Sequence, residues 1–212
     1  MKKYEFIFAL LGSSLTIVFL LVVNLITSSE HLWFIYPAFG LLIWPVSIYC
    51  KERGKHKQFS IFCSLLIIAF LIVLNYIETP EYPWFLFGLY PILWWPILVL
   101  LETRAKTIGV ALAGSLSIIL YYICLNAFLG TQHPWFIYPA FALLWWPLAV
   151  YHVRKRSYFA FSINGSVLIS FFFITVNYIT TPQTIWAIYP IFCALWWPLS
   201  MYYYVYKRKA RA

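Results

Sequence analysis

Apolar residues run along this chain in paired stretches, broken alternately by a short polar turn and by a basic linker. In the first pair the stretches extend from about Tyr4 to Thr27 and from about Trp33 to Cys50, with Ser28-Ser29-Glu30-His31 between them. At 1.5 Å per residue such lengths cross a hydrocarbon core of about 30 Å, the second only just. The later turns read Glu78-Thr-Pro-Glu-Tyr-Pro83 and Thr180-Thr-Pro-Gln-Thr184, built from turn and cap residues. The pattern predicts eight helices, with tight turns on one side and basic linkers on the other.

The pattern repeats. Trp-Pro occurs at Trp44-Pro45, Trp95-Pro96, Trp146-Pro147 and Trp197-Pro198, each 51 residues after the last. Asn24, Asn75, Asn126 and Asn177 keep the same spacing, as do Ser13, Ser64, Ser115 and Ser166 and the turn tryptophans Trp33, Trp84, Trp135 and Trp186. So many positions in step imply a tandem quadruplication. The hairpins fall at 1–53, 54–104, 105–155 and 156–212, the last with a basic tail, together forming one membrane domain. The stretch from His31 to Pro45 matches His133 to Pro147 at twelve of fifteen positions, so the first hairpin is closest to the third. The second and fourth share Asn75-Tyr-Ile-Glu-Thr-Pro80 and Asn177-Tyr-Ile-Thr-Thr-Pro182. Two helices per repeat keep every copy in the same direction, so these are parallel repeats. The expected fold is an all-α integral membrane protein, its four hairpins closed into a pseudo-fourfold ring weakened to pseudo-twofold by the pairing.

Composition sharpens this picture. Of 212 residues, 64% are hydrophobic, 22% aromatic and 10% charged, and there is no Asp. A soluble domain carries about 25% charged residues. All fifteen Lys and Arg lie in the linkers and the two ends, none in the tight turns. The positive-inside rule then places both termini in the cytoplasm and the chain in the cell membrane as a multi-pass protein. The net charge of +9 is a topology signal and a grip on anionic headgroups at the cytoplasmic side, not a nucleic-acid patch. Trp33, Phe34, Tyr36 and their copies suit an outer aromatic belt. The first stretch is too long for a signal-peptide core and lacks a small-x-small cleavage site, so it is expected to stay.

Ser13 and Asn24 lie eleven residues apart, on one face of the first helix. Two readings follow for the four Ser and four Asn: they line a central cavity, or they bond neighbouring helices and cap the turns. Each proline inside a second helix removes one backbone donor, so Pro45 leaves the Leu41 carbonyl exposed as an acceptor and should kink the helix. Trp44, one residue earlier, is placed to wedge against the next hairpin with its indole N–H seeking such a carbonyl. Repeated at Trp95-Pro96, Trp146-Pro147 and Trp197-Pro198, this predicts a ring of kinks that narrows the inner end.

Catalytic apparatus is missing. No Walker loop, G-x-S-x-G, H-E-x-x-H or carboxylate pair occurs, so an enzyme is not expected and no cofactor is implied. Buried acids and bases of the kind that drive proton pumps and voltage sensors are absent from the spans. His31 and His133 hold equivalent turn positions, filled by Tyr82 and Thr184 in the other copies. With Glu30 and Glu81 nearby they are weak candidates for metal binding or pH sensing, and no metal site is assigned. His56 and His152 lie among basic linker residues and are expected to be solvated. Cys50, Cys63, Cys124 and Cys193 form no C-x-x-C and read as small apolar fillers.

Each hairpin resembles the bacterial 2TM-domain module, a two-helix unit found alone or fused to regulatory domains. The likeness lies in the Asn near the end of the first helix, the Trp-Phe-Ile-Tyr-Pro opening and the Trp near the end of the second. Trp-Pro stands where that family has Trp-Gly, and only His152 resembles its trailing His. The resemblance implies membrane residence and transfers no catalytic residue. The expected function is a channel or facilitator for a small solute or ion through a Ser/Asn-lined central cavity; the alternative is a non-transporting membrane module, a sensor, regulatory or accessory subunit that binds a partner protein or a lipophilic ligand.

Overall fold

The structure, a computed structural model, describes residues 2–28, 31–130 and 133–207. The turn residues Ser29 and Glu30 and the basic tail from Arg208 onward lie outside the described residues. Eight α-helices follow in order: α1 (Lys2–Thr27), α2 (Ile35–Glu52), α3 (His56–Glu78), α4 (Leu86–Leu101), α5 (Ile108–Phe128), α6 (Ile137–Lys155), α7 (Tyr158–Thr180) and α8 (Ile188–Tyr202). A short 3₁₀ turn, Glu102–Lys106, joins α4 to α5, and a π turn, Tyr203–Lys207, follows α8. No strand occurs among the described residues.

By length and apolar composition, five segments can cross a membrane: Tyr4–Thr27, His56–Glu78, Leu86–Lys106, Ile108–Phe128 and Tyr158–Thr180. Of the eight spans expected from the sequence, five meet this criterion. The remaining three are second helices. Each starts after a 3₁₀-like turn, such as Tyr36 N–H to the Trp33 carbonyl and Tyr189 N–H to the Trp186 carbonyl. Their other ends are charged in α2 (Lys51, Glu52) and α6 (Arg154, Lys155), while α8 has 15 residues.

Two compact units divide the chain, Met1–Leu101 and Glu102–Ala212. Inside the first, α1 packs on α2 and α3 on α4, and α2 meets α3; inside the second, α5 packs on α6 and α7 on α8, and α6 meets α7. Contact between hairpins uses the same rings in both. Phe39 stacks on Phe70 at 4.2 Å, and Phe141 stacks on Phe172, both residues 102 positions later, at 4.1 Å.

Within a hairpin, close approach depends on small residues. Ala9, Ser60, Ala111 and Ser162 are at most 1% exposed, and each lies four residues before one of the predicted serines. This small-xxx-small face lets the second helix come near the backbone of the first. Few large side chains are buried, and large apolar ones such as Phe8, Leu15, Leu120, Phe171 and Tyr178 stand exposed. In water these would be a severe liability; in a bilayer they meet solvent of their own kind.

The second helices run unbroken through Pro45, Pro96, Pro147 and Pro198. The carbonyl that each proline deprives of its helical donor lies four residues earlier. Ser115 donates to that of Leu143 at 2.8 Å, Ser166 to that of Ala194 at 2.8 Å, and Ser64 to that of Ile92 at 3.4 Å. A hydroxyl from the first helix thus replaces the missing N–H of the second. The sequence expectation of an exposed acceptor is met by a serine and not by an indole. The first hairpin differs: Ser13 is 3% exposed and its hydroxyl has no hydrogen-bond partner among the described residues.

Candidate functional site

The recurring asparagines sit where each first helix ends. Asn24 donates both amide hydrogens, to the carbonyls of Ser28 (2.6 Å) and His31 (3.0 Å), and its Oδ1 accepts from Phe34 N–H at 2.9 Å. Asn177 repeats this with Thr181 (2.8 Å), Thr184 (2.8 Å) and Ala187 N–H (2.9 Å). Asn75 does so with Thr79 (2.6 Å), Tyr82 (2.8 Å) and, more loosely, Phe85 N–H (3.4 Å). Asn126 is buried at the matching place on α5. One residue caps the end of one helix, the turn and the start of the next. Only a side chain with two donors and an acceptor at this reach can do so: Asp lacks the donors and Ser lacks one of them. The polar atoms of Asn24, Asn75 and Asn177, and the hydroxyls of Ser64, Ser115 and Ser166, are spent inside their own hairpins.

Tryptophans before the prolines also pack within hairpins. Trp44 meets Phe8 edge-on at 6.3 Å, and Trp95 meets Phe59 at 6.4 Å. Trp197 meets Phe161 at 5.4 Å and, in addition, lies 6.1 Å from Trp145 of the preceding hairpin. The sequence predicts a wedge against the next hairpin; the contact Trp197 makes is with the preceding one, through Trp145, which stands at the position of Ile43. Trp146 is half-buried beside a buried Pro147.

His31 Nδ1 lies 3.6 Å from Glu78 Oε1, both side chains well exposed, and His133 Nε2 lies 3.4 Å from the Tyr138 hydroxyl. Glu30 lies outside the described residues. Among those described, no group of three His, Cys, Asp or Glu could hold a metal.

His152 corrects the sequence expectation. Predicted to be solvated among basic linker residues, it is 2% exposed. Its ring is flanked by Tyr151 at 5.0 Å and Phe161 at 5.6 Å. Arg156 ends α6 in the left-handed region (φ 50°), folding the chain back so that Ser157 N–H donates to the His152 carbonyl at 3.1 Å. That turn sets Ser157 Oγ 2.8 Å from His152 Nδ1, while Asn164 Nδ2 of α7 stands 3.0 Å from Nε2. A neutral ring protonated on Nδ1 satisfies both contacts, with Nε2 accepting the amide hydrogen.

The histidine forms one end of an open, almost wholly apolar groove of about 610 Å³ in the second unit. Ile108 and Leu112 of α5 line it, with Leu144, Pro147, Leu148, Tyr151 and His152 of α6 and Asn164, Val167, Leu168 and Phe171 of α7. Beyond Leu144, Leu168 and Phe171 it continues into a smaller cleft of about 130 Å³ that reaches Phe136. Around it, the two halves of the chain differ in sequence. Ile108, His152 and Asn164 replace Phe6, Cys50 and Phe62, which stand 102 positions earlier. In the first unit Phe6 packs on Tyr49 at 5.8 Å, filling space that Ile108 leaves open beside Tyr151. Asn164 was visible in the sequence as a polar residue where the other copies have Leu11, Phe62 and Ala113, a departure that only the fold makes meaningful.

Charge is also uneven. The second unit holds nine of the fifteen Lys and Arg but only one of the six Glu, namely Glu102. Lys155 donates to the hydroxyl of the groove residue Tyr151 at 2.6 Å and stands 4.4 Å over the same ring.

Fold and site together define an all-helical protein whose long apolar helices are suited to a membrane, with an open apolar groove that has a hydrogen-bonded histidine at one end. No family model, curated protein or solved structure matches the chain.

Proposed function

We propose that this protein is a non-transporting membrane module that binds a lipophilic ligand in the groove between α5, α6 and α7. The groove itself carries the reading. Its volume of about 610 Å³ lies within the range of small-molecule sites, roughly 300–1,000 Å³, and its few polar groups converge at one end. The channel reading drew on the Ser and Asn faces and on an inner constriction at the Trp-Pro sites. It loses that support where the hydroxyls and amides serve hairpin closure. The module belongs to a chain of eight spans in four tandem hairpins, with both termini cytoplasmic and a kinship to 2TM-domain hairpins, all within the same proposal. α2, α6 and α8 then cross the bilayer with help from their 3₁₀ openings and from snorkelling linker cations.

A photoactivatable acyl-chain phospholipid, incorporated with the purified protein into vesicles, tests the reading. Cross-links should concentrate on α5–α7 around Leu112, Leu148 and Phe171, and Leu112→Trp should remove them. The same vesicles should leak solutes no faster than protein-free ones. Cross-links spread evenly over all exposed apolar faces, or a solute flux that survives Leu112→Trp, would overturn it in favour of ordinary boundary lipid or a channel.

A further inference from the structure

Resting on that groove as the binding site, the geometry points to an anionic phospholipid of the linker-side leaflet as its occupant. One acyl chain lies in the groove, and the phosphate meets Lys155 and the Asn164 amide at its mouth. Dimensions support a single leaflet's lipid. From His152 to Leu144 the groove follows eight residues of α6, about 12 Å at 1.5 Å per residue. Half of a hydrocarbon core is about 15 Å. This larger part of the groove therefore starts at the basic linker and reaches about mid-membrane, as a chain from that leaflet would, and the smaller cleft continues beyond it.

Polarity is confined to the linker end. Asn164 is exposed to the groove, its Nδ2 is held by His152 Nε2, and its Oδ1 has no hydrogen bond among the described residues. The second hydrogen on Nδ2 is equally available to an acceptor. Lys155 is held by Tyr151, which is itself a groove residue, so the ammonium stays beside the groove. From Lys106 to Ala212 there is no Asp or Glu side chain. Cations with no acidic partner of their own are complementary to a phosphate diester, and Lys binds phosphate as a point charge. His152 is a positioning residue here: with Ser157 on one nitrogen and Asn164 on the other, it orients the amide that faces the ligand.

Native mass spectrometry of the full-length protein, released from vesicles of equal parts dioleoyl phosphatidylglycerol and dioleoyl phosphatidylcholine, tests the assignment. The wild type should retain one phosphatidylglycerol in preference to phosphatidylcholine. Lys155→Gln, an exposed change that leaves the fold intact, should cut that preference roughly fivefold, the worth of one basic residue at a membrane surface. Lys155→Gln with Asn164→Leu should still retain one lipid, now without headgroup preference. Arg154→Gln, one residue away on the same turn, should leave the preference unchanged. Leu112→Trp should retain no lipid. Retention by Leu112→Trp equal to wild type would overturn the groove as a site. Loss in Leu112→Trp, but no headgroup preference in the wild type, would leave the groove and remove the anionic lipid. An equal loss of preference in Lys155→Gln and Arg154→Gln would mean diffuse attraction to the surface and would also remove it.

Discussion

At the scale of single residues, each copy of a recurring position experiences a different neighbourhood, and glycine makes this measurable. A Cβ added to Gly165 would run into the Trp197 ring and come within 3.1 Å of Trp145 Cη2. At Gly12, the matching place in the first hairpin, the nearest atom is Trp44 Cζ3 at 3.9 Å, an ordinary contact. Gly165→Ala should therefore destabilise by about 1–3 kcal/mol, as overpacking does, while Gly12→Ala should be neutral or stabilising. Thermal unfolding in detergent checks this; equal effects at the two sites would refute it. Asn177 gives a second test. Asn177→Asp keeps an acceptor but turns a carboxylate towards the Thr181 and Thr184 carbonyls, so it should cost at least as much as Asn177→Ala. A loss of about 1–3 kcal/mol is expected from unpaired backbone groups. A harmless Asp would mean that the two amide donations are dispensable.

At the scale of helices, the serine on the first and the proline on the second form one device. The proline frees a carbonyl, and the serine satisfies it across the hairpin. A double-mutant cycle on Ser115→Ala and Pro147→Ala should show coupling of about 0.5–2 kcal/mol. Alanine at 147 restores an N–H for the Leu143 carbonyl and makes the hydroxyl redundant. The same cycle on Ser13 and Pro45 should show almost none, because the Ser13 hydroxyl bonds none of the described residues. Equal coupling in both hairpins would contradict the difference between them. The serine stripe was legible in the sequence by its spacing, yet its purpose was not. Ser115 and the Leu143 carbonyl are 28 residues apart, and only the closeness permitted by Ala111 brings them together.

At the scale of the whole molecule, topology depends on how many of the eight helices cross the bilayer. Single cysteines at Glu78 and Arg154 should label from opposite sides of the membrane, Arg154 from the cytoplasm. Labelling of both from one side would remove α6, the one helix between them that is not among the five longer segments, as a crossing helix. The uneven division of charge gives the halves distinct characters. The first unit is nearly balanced, with six Lys and Arg against five Glu, while the second carries the basic excess and the groove.

The sequence by itself determined what depends on local spacing and bulk transfer energy: helical segments, their pairing at a 51-residue period, and the clustering of cations in linkers. Burial of apolar side chains and exclusion of charge from hydrocarbon act on each segment separately, so they can be read one segment at a time. The turn role of Asn24 and its copies was among the alternatives for the same reason, since its partners lie within ten residues. The tertiary structure alone decided which polar groups remain available. It joined His152 to Asn164 across twelve residues and two helices, buried a ring that its basic neighbours had suggested was wet, and left a groove where Phe6 and Phe62 have no aromatic counterparts. Such meetings depend on packing distance between helices, and the identity of a residue carries no measure of that distance until the chain is folded.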